Sequence, residues 1–204
     1  QLTSHVFTNI TADHTIRAVF AINQFTITAS AQLHGTISPI GAVSVNYGAS
    51  QSFTVIPDSG YNVDTLFVGG VDQGPLTSYT FTNVTANHTI RASFAINQYT
   101  LTSSAGANGS ITPDGTVIVN YGVNRTYTVT PNTGYHVDSL IVDGTDLGQL
   151  TSHVFTNITA DHTIRAVFAI NQYTITATSK IHGTISPIGA VIVNYGADQL
   201  FTAL

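Results

Sequence analysis

Cysteine is missing from all 204 residues, which excludes disulfides and thiolate metal sites as supports for the fold and leaves the redox compartment unmarked. Charge is nearly as scarce. Asp, Glu, Lys and Arg together make up 7% of the sequence, against roughly 25% in an ordinary globular domain. Solubility falls to Thr, Ser, Asn and Gln, a balance typical of extracellular β-proteins and poor for a cytosolic enzyme. Five cations (Arg17, Arg91, Arg125, Arg165 and Lys180) and a formal net charge of −5 leave no basic stripe to displace phosphate counterions, so nucleic acid is not an expected partner. No apolar run approaches the ~18 residues of a membrane span, and there is no secretory hydrophobic region. A secretion signal, on this reading, lies outside the sequence.

What is present is repetition. QLTSHVFTNITADHTIRAVF at 1–20 returns letter for letter at 149–168, and Ala21, Ala95 and Ala169 mark a period of 74 residues. The chain divides into the end of one repeat (1–20), two complete repeats (21–94 and 95–168) and the beginning of another (169–204). Gln1 stands where a gene product would carry Met, so the sequence reads as a window of a longer polypeptide. HGTISPIGAV at 34–43 recurs at 182–191, while the middle repeat has NGSITPDGTV at 108–117. Alternate repeats are thus more alike than neighbours, as if the array grew by copying pairs. A 74-residue unit buries only about 60% of its unfolded surface, and neighbour contacts are expected to help it.

Within one repeat the residues predict short strands separated by Gly, Pro, Asn and Asp turns, with no helical period. In 97–104, Tyr99 and Leu101 alternate with Thr100 and Thr102, the pattern of a half-buried strand. AGANG at 105–109 turns into the strand 110–112, and Pro113-Asp114-Gly115 turns into the strand 116–121. In 125–131, Tyr127 and Val129 face inward and Thr126, Thr128 and Thr130 outward. Asn132-Thr133-Gly134 leads into 135–144, where Tyr135 and Val137 share one parity and Leu140 and Val142 the other. That slip predicts a β-bulge or bend at Asp138 and Ser139. Asp143-Gly144 begins a tight turn, and strands at 152–157 and 162–168 close the repeat, with Ile164, Ala166 and Phe168 inward and Arg165 outward. Phe168 runs through Ala169-Ile170-Asn171-Gln172-Tyr173 into the next repeat without a spacer, which predicts a stiff rod or filament segment.

The run NQYT, NGSITPDGTVIVNYG, TYTVTPNTGYHVDSLIVDG and SHVFTNITADHTIRAVF resembles the divergent form of the internalin-type B repeat, a module found in tandem in large bacterial surface proteins. The resemblance covers essentially the whole chain. It implies an all-β array of small modules, of the kind described as β-grasp-like, used as spacer, stalk or adhesive segment, with no catalytic residues to transfer. Better-known members carry a Gly-Trp pair after the Gly-Tyr strand; this chain has no Trp, and Leu66 and Leu140 stand near that place.

Several constellations invite a chemical reading. Asp161-His162-Thr163, with copies at Asp13-His14-Thr15 and Asn87-His88-Thr89, pairs an imidazole with an acid. Adjacent strand residues point to opposite faces, however, and the acid is Asn in one copy; an Asx-type turn ahead of the last strand is the expectation. Asp138, Asp143 and Asp146 are the candidate Ca²⁺ ligands, but the preceding repeat keeps only Asp64 and Asp72, with Gly69 between, so solvated turn residues are the preferred reading. Arg17, Arg91 and Arg165 read as solubilising. Asn9, Asn83, Asn87, Asn108, Asn124 and Asn157 each begin a glycosylation sequon, occupied only in a host that glycosylates. The complete repeats have no Lys and so cannot form Lys-Asn isopeptide crosslinks.

With no convergent nucleophile and no cofactor motif, the expected function is a non-enzymatic, extracellular structural segment: a stalk, adhesin shaft or filament subunit. Its expected partners are neighbouring repeats and further copies of itself, by head-to-tail strand exchange in the extreme case, although the two partial pieces together fall 18 residues short of a repeat. The alternative is an adhesive module in which Tyr61, Tyr135 and polar turns bind glycans or a receptor.

Overall fold

A computed structural model describes residues 3–204; Gln1 and Leu2, the first two of the repeated 20, lie outside it. No helix occurs among the described residues. The first complete repeat folds as β1 (Gln24–Ala31), β2 (Gly35–Ser38), β3 (Gly41–Asn46), β4 (Gln51–Pro57), β5 (Tyr61–Val68), β6 (Val71–Asp72), β7 (Ser78–Phe81) and β8 (His88–Ile96). The second repeats the plan with β9 (Gln98–Ala105), β10 (Gly109–Thr112), β11 (Gly115–Asn120), β12 (Arg125–Pro131), β13 (Tyr135–Val142), β14 (Thr145–Asp146), β15 (Ser152–Phe155) and β16 (His162–Ile170). The partial repeat contributes β17 (Gln172–Ala177), β18 (Ile185–Ser186), β19 (Gly189–Asn194) and β20 (Thr202–Ala203).

Each complete repeat buries the space between two sheets. In the first, a five-stranded sheet of order β3-β1-β8-β5-β6 faces a three-stranded sheet β2-β4-β7; the second uses β11-β9-β16-β13-β14 and β10-β12-β15. The opening and closing strands of a repeat lie side by side and parallel, with Ile27 opposite His88 and Leu101 opposite His162. Alternation selects the core. Ile27, Leu66 and Ile90 meet Ile37, Phe53 and Phe81 in the first repeat, and Leu101, Leu140 and Ile164 meet Ile111, Tyr127 and Phe155 in the second. The threonines between the inward residues of β12 are exposed.

The antiparallel pairing of β13 with β16 shifts register between Val137 and Ser139, where the change of parity predicts it. Some boundaries differ from the sequence reading. The closing strand continues past Phe168 to Ile170, and only Asn171 separates it from β17; β11 stops at Asn120, because Tyr121 enters a turn with Gly122 at φ +79. Residues 3–20, expected as closing strands, form none.

The described chain divides into two compact units, one of residues 3–57 and 63–94, the other of 58–62 and 95–204. The turn 58–62 falls with the second unit because the Asn97 N–H donates to the Gly60 carbonyl at 2.8 Å, and the Tyr121 ring covers Gly60 so closely that a Cβ there would lie 2.3 Å from it. The same device recurs inside the second unit. Asn171 N–H donates to the Gly134 carbonyl at 2.8 Å, Tyr195 N–H donates to the Asn171 carbonyl at 2.8 Å, and the Tyr195 ring lies over Gly134, which sits at φ +85. His136 Nδ1 adds a 2.9 Å hydrogen bond to Asn171 Oδ1.

Candidate functional site

The chemistry-bearing residues gather at one end of the large sheet, where the hairpin β13–β14 meets the start of β16. Val142 pairs with Thr145 across the two-residue turn Asp143-Gly144, both at positive φ (48° and 79°), the type I′ geometry that Asp-Gly suits. This turn aims the Asp143 carboxylate at β16. Oδ1 accepts from the Thr163 N–H at 2.8 Å and Oδ2 from His162 Nδ1 at 2.7 Å, while Asp143 N–H donates to the Thr163 carbonyl at 3.0 Å. The His162 ring stacks on Phe155, centroids 4.7 Å apart, and His153 meets the same ring edge-on. Partial burial pushes the Asp143 carboxyl up, but the Thr163 amide and the His162 ring outweigh it and hold the carboxyl below its ordinary value.

Asp161 takes no part in this pair. Its Oδ1 accepts from the Thr100 N–H at 2.7 Å and so caps β9 across the parallel pairing, rather than forming the local Asx turn that the sequence suggests. Asn87 does the same for Thr26 at 2.8 Å, which explains why an amide can replace the acid: the position needs an acceptor, not a charge. Asp146 folds back on the Gly148 N–H at 2.8 Å, and Asp138 is exposed at the bulge. The structure therefore does not bring Asp138, Asp143 and Asp146 together, and no group of three His, Cys, Asp or Glu is placed to hold a metal ion among the described residues. In the first repeat Asp72 accepts from the Thr65 hydroxyl and the Gly74 N–H, which draw its carboxyl down, and Asp64 accepts from Ser93 Oγ at 3.2 Å.

A carboxylate on an imidazole orients the ring as in a catalytic dyad, but a nucleophile must complete it. None of the hydrogen bonds to His162 comes from a hydroxyl, and the pair serves to fasten the hairpin turn to β16. The six sequon asparagines (Asn9, Asn83, Asn87, Asn108, Asn124 and Asn157) are all exposed. Asn9, Asn83, Asn108 and Asn157 occupy left-handed turns, while Asn87 and Asn124 each use Oδ1 to accept a backbone N–H. Tyr61 and Tyr135 are half-buried at the starts of β5 and β13. Arg91 is exposed, with its guanidinium 4.4 Å above the Phe67 ring; Arg17 and Arg165 are also exposed.

Sequence reading singled out both Asp143 and His162 without joining them. The signal that could have done so is the acid at Asp143 where the first repeat has Gly69, in hairpins that also differ at Phe67/Ile141 and Val71/Thr145.

Copies of one small two-sheet module, strung in tandem and with their polar turn residues spent on fastening strands, define a β-repeat protein. The family model of the divergent InlB B-repeat domain matches residues 25–98 and again 99–172, and the chain belongs to that family, whose modules occur in bacterial surface proteins. No curated protein matches it.

Proposed function

We propose that the chain is a spacer segment of an extracellular bacterial protein (a stalk, adhesin shaft or filament subunit) and that it performs no catalysis. The observation that carries this reading is the junction inside the second unit. β16 passes into β17 through Asn171 alone, and Gly134, Asn171 and Tyr195 are tied by two 2.8 Å backbone bonds under an aromatic ring. Such a joint resists bending, which a spacer requires and a binding module does not. The half-buried setting of Tyr61 and Tyr135 leaves less open aromatic face than the alternative, glycan or receptor adhesion, would use. Small-angle scattering is the test: an elongated particle whose length grows by a constant increment per added repeat is expected, and a compact particle overturns the proposal.

Self-association belongs to the same reading. Among the described residues β17 pairs with β19 alone, and the β16 residues that pair with its counterpart β9 have the same letters as the strandless segment 14–18. A strand of that sequence, from a neighbouring repeat or from a second copy, fits that edge. Light scattering should show mass rising with concentration; a strictly monomeric species removes this part and leaves the spacer role intact.

A further inference from the structure

The second repeat contains a template for a site that the first repeat leaves open. In the second, two donors on β16, the Thr163 N–H and His162 Nδ1, hold the carboxylate of Asp143. The first repeat presents the same two donors on β8 in the same frame. Its hairpin turn has the same backbone conformation, Gly69 at φ +58 against Asp143 at φ +48, and Gly69 N–H donates to the Thr89 carbonyl at 2.9 Å as Asp143 does to Thr163. His88 lies on Phe81 with centroids 4.9 Å apart and planes 32° apart, as His162 lies on Phe155 at 4.7 Å and 27°. Asn87 caps Thr26 as Asp161 caps Thr100.

The acids differ. Gly69 offers the Thr89 N–H and the His88 ring no side-chain acceptor, and nothing lies within 4 Å of where a Cβ on it would stand. The place is an open depression of about 400 Å³ lined by Thr26, Thr28, Gly69, Asn87, His88 and Thr89. Asn for Asp161 removes a second negative charge, and an adjoining depression that shares Thr28 and Thr89 is lined by Arg91. The first repeat thus exchanges two acids for neutral residues while keeping both donors, and the fixed cation beside it favours an anion.

We propose that this depression binds the carboxylate of a small hydroxyl-bearing ligand, a uronic acid sugar by chemical class, on the Thr89 N–H and the His88 ring, where the second repeat places the Asp143 side chain. The Thr26, Thr28 and Thr89 hydroxyls and the Asn87 amide supply donors and acceptors to the ligand's ring. The role of the repeat as a spacer does not depend on this site.

Titration of the intact chain with acetate, glucuronate and glucose, followed by amide and imidazole NMR, tests it. Saturable shifts at Thr89 and His88 are expected with both carboxylates, tighter with glucuronate, and not with glucose. Gly69→Asp, which the matching Asp143 backbone shows to be sterically allowed, should abolish the shifts, and Asp143→Gly should create a second set at Thr163 and His162. Shifts no larger than those caused by sodium chloride, equal shifts with glucose, or shifts that survive Gly69→Asp overturn the site. Acetate binding more tightly than glucuronate overturns the assignment of a sugar.

Discussion

Residues 3–20 and 151–168 carry the same letters and end in different structures. In the second stretch Ile158 and Ile164 are 1% and 2% exposed; the identical Ile10 and Ile16 are 64% and 69% exposed. Yet the local geometry survives without the strands. Phe7 stacks on His14 at 5.0 Å and meets His5 edge-on at 4.7 Å, as Phe155 does with His162 and His153, and Asn9 holds φ 47 where Asn157 holds φ 48. Turn and ring contacts between near neighbours in sequence therefore persist by themselves, whereas extended structure waits for partners: β12 beside β15, and β9 and β13 flanking β16. Strand propensity here is a preference for a paired, half-buried surface and not a property of the segment.

One change made at both isoleucines separates the two segments most sharply. Ile164→Ala should destabilise the second repeat by about 2–5 kcal/mol through the cavity it leaves, while Ile16→Ala, at an exposed site, should stay within about 0.5 kcal/mol. Denaturant midpoints decide, and equal losses would mean that segment 3–20 is packed in solution. A second duplicated pair follows. Gly109 lies under Phe168, so that a Cβ would come within 2.3 Å of the ring, whereas its counterpart Gly183 meets nothing nearer than 3.6 Å. Gly109→Ala should cost roughly 1–3 kcal/mol by overpacking; Gly183→Ala should cost far less in the same melting experiment.

A smaller effect, of opposite sign, concerns the two core rings. Tyr127 is fully buried and its hydroxyl finds no protein partner among the described residues, while the first repeat has Phe53 at that place, equally buried. Removing the hydroxyl relieves its desolvation, and Tyr127→Phe should stabilise the second repeat by roughly 1 kcal/mol; an unchanged or lowered midpoint would show that the hydroxyl is satisfied in solution. The least effect is expected from acid. Asp143 is held below its ordinary value of 3.8 when folded, so its contribution is complete above that value and is lost as the pH falls from there through the lowered folded value. Thr163 amide exchange should accelerate over that window and Thr89 exchange should not, Gly69 having nothing to protonate; parallel acceleration would refute the assignment.

Much of this fold is legible in the letters because its strands are half-buried and its turns carry Gly, Asn and Asp. Tyr127 and Val129 alternating with threonines identify β12, and the parity change around Asp138 identifies the bulge. What escapes is non-local. Nothing in the run from Gln98 to Ala105 announces that it will lie parallel to residues 61 positions away, and so the task of Asp161, which caps Thr100 across that pairing, is read as a local turn. Asp143 escapes for the same reason: its partners lie 19 and 20 residues downstream, on a strand brought beside it only by the finished sheet.

The glycine beneath Tyr195 constrains how such an array can change over generations. The ring belongs to one copy and the glycine to the copy before it, 61 positions earlier, and any side chain on that glycine would collide with the ring. Gain or loss of whole periods preserves the match, while loss of part of a module would leave such a glycine without its ring. Growth and shrinkage by whole modules are therefore the changes that leave every such joint intact.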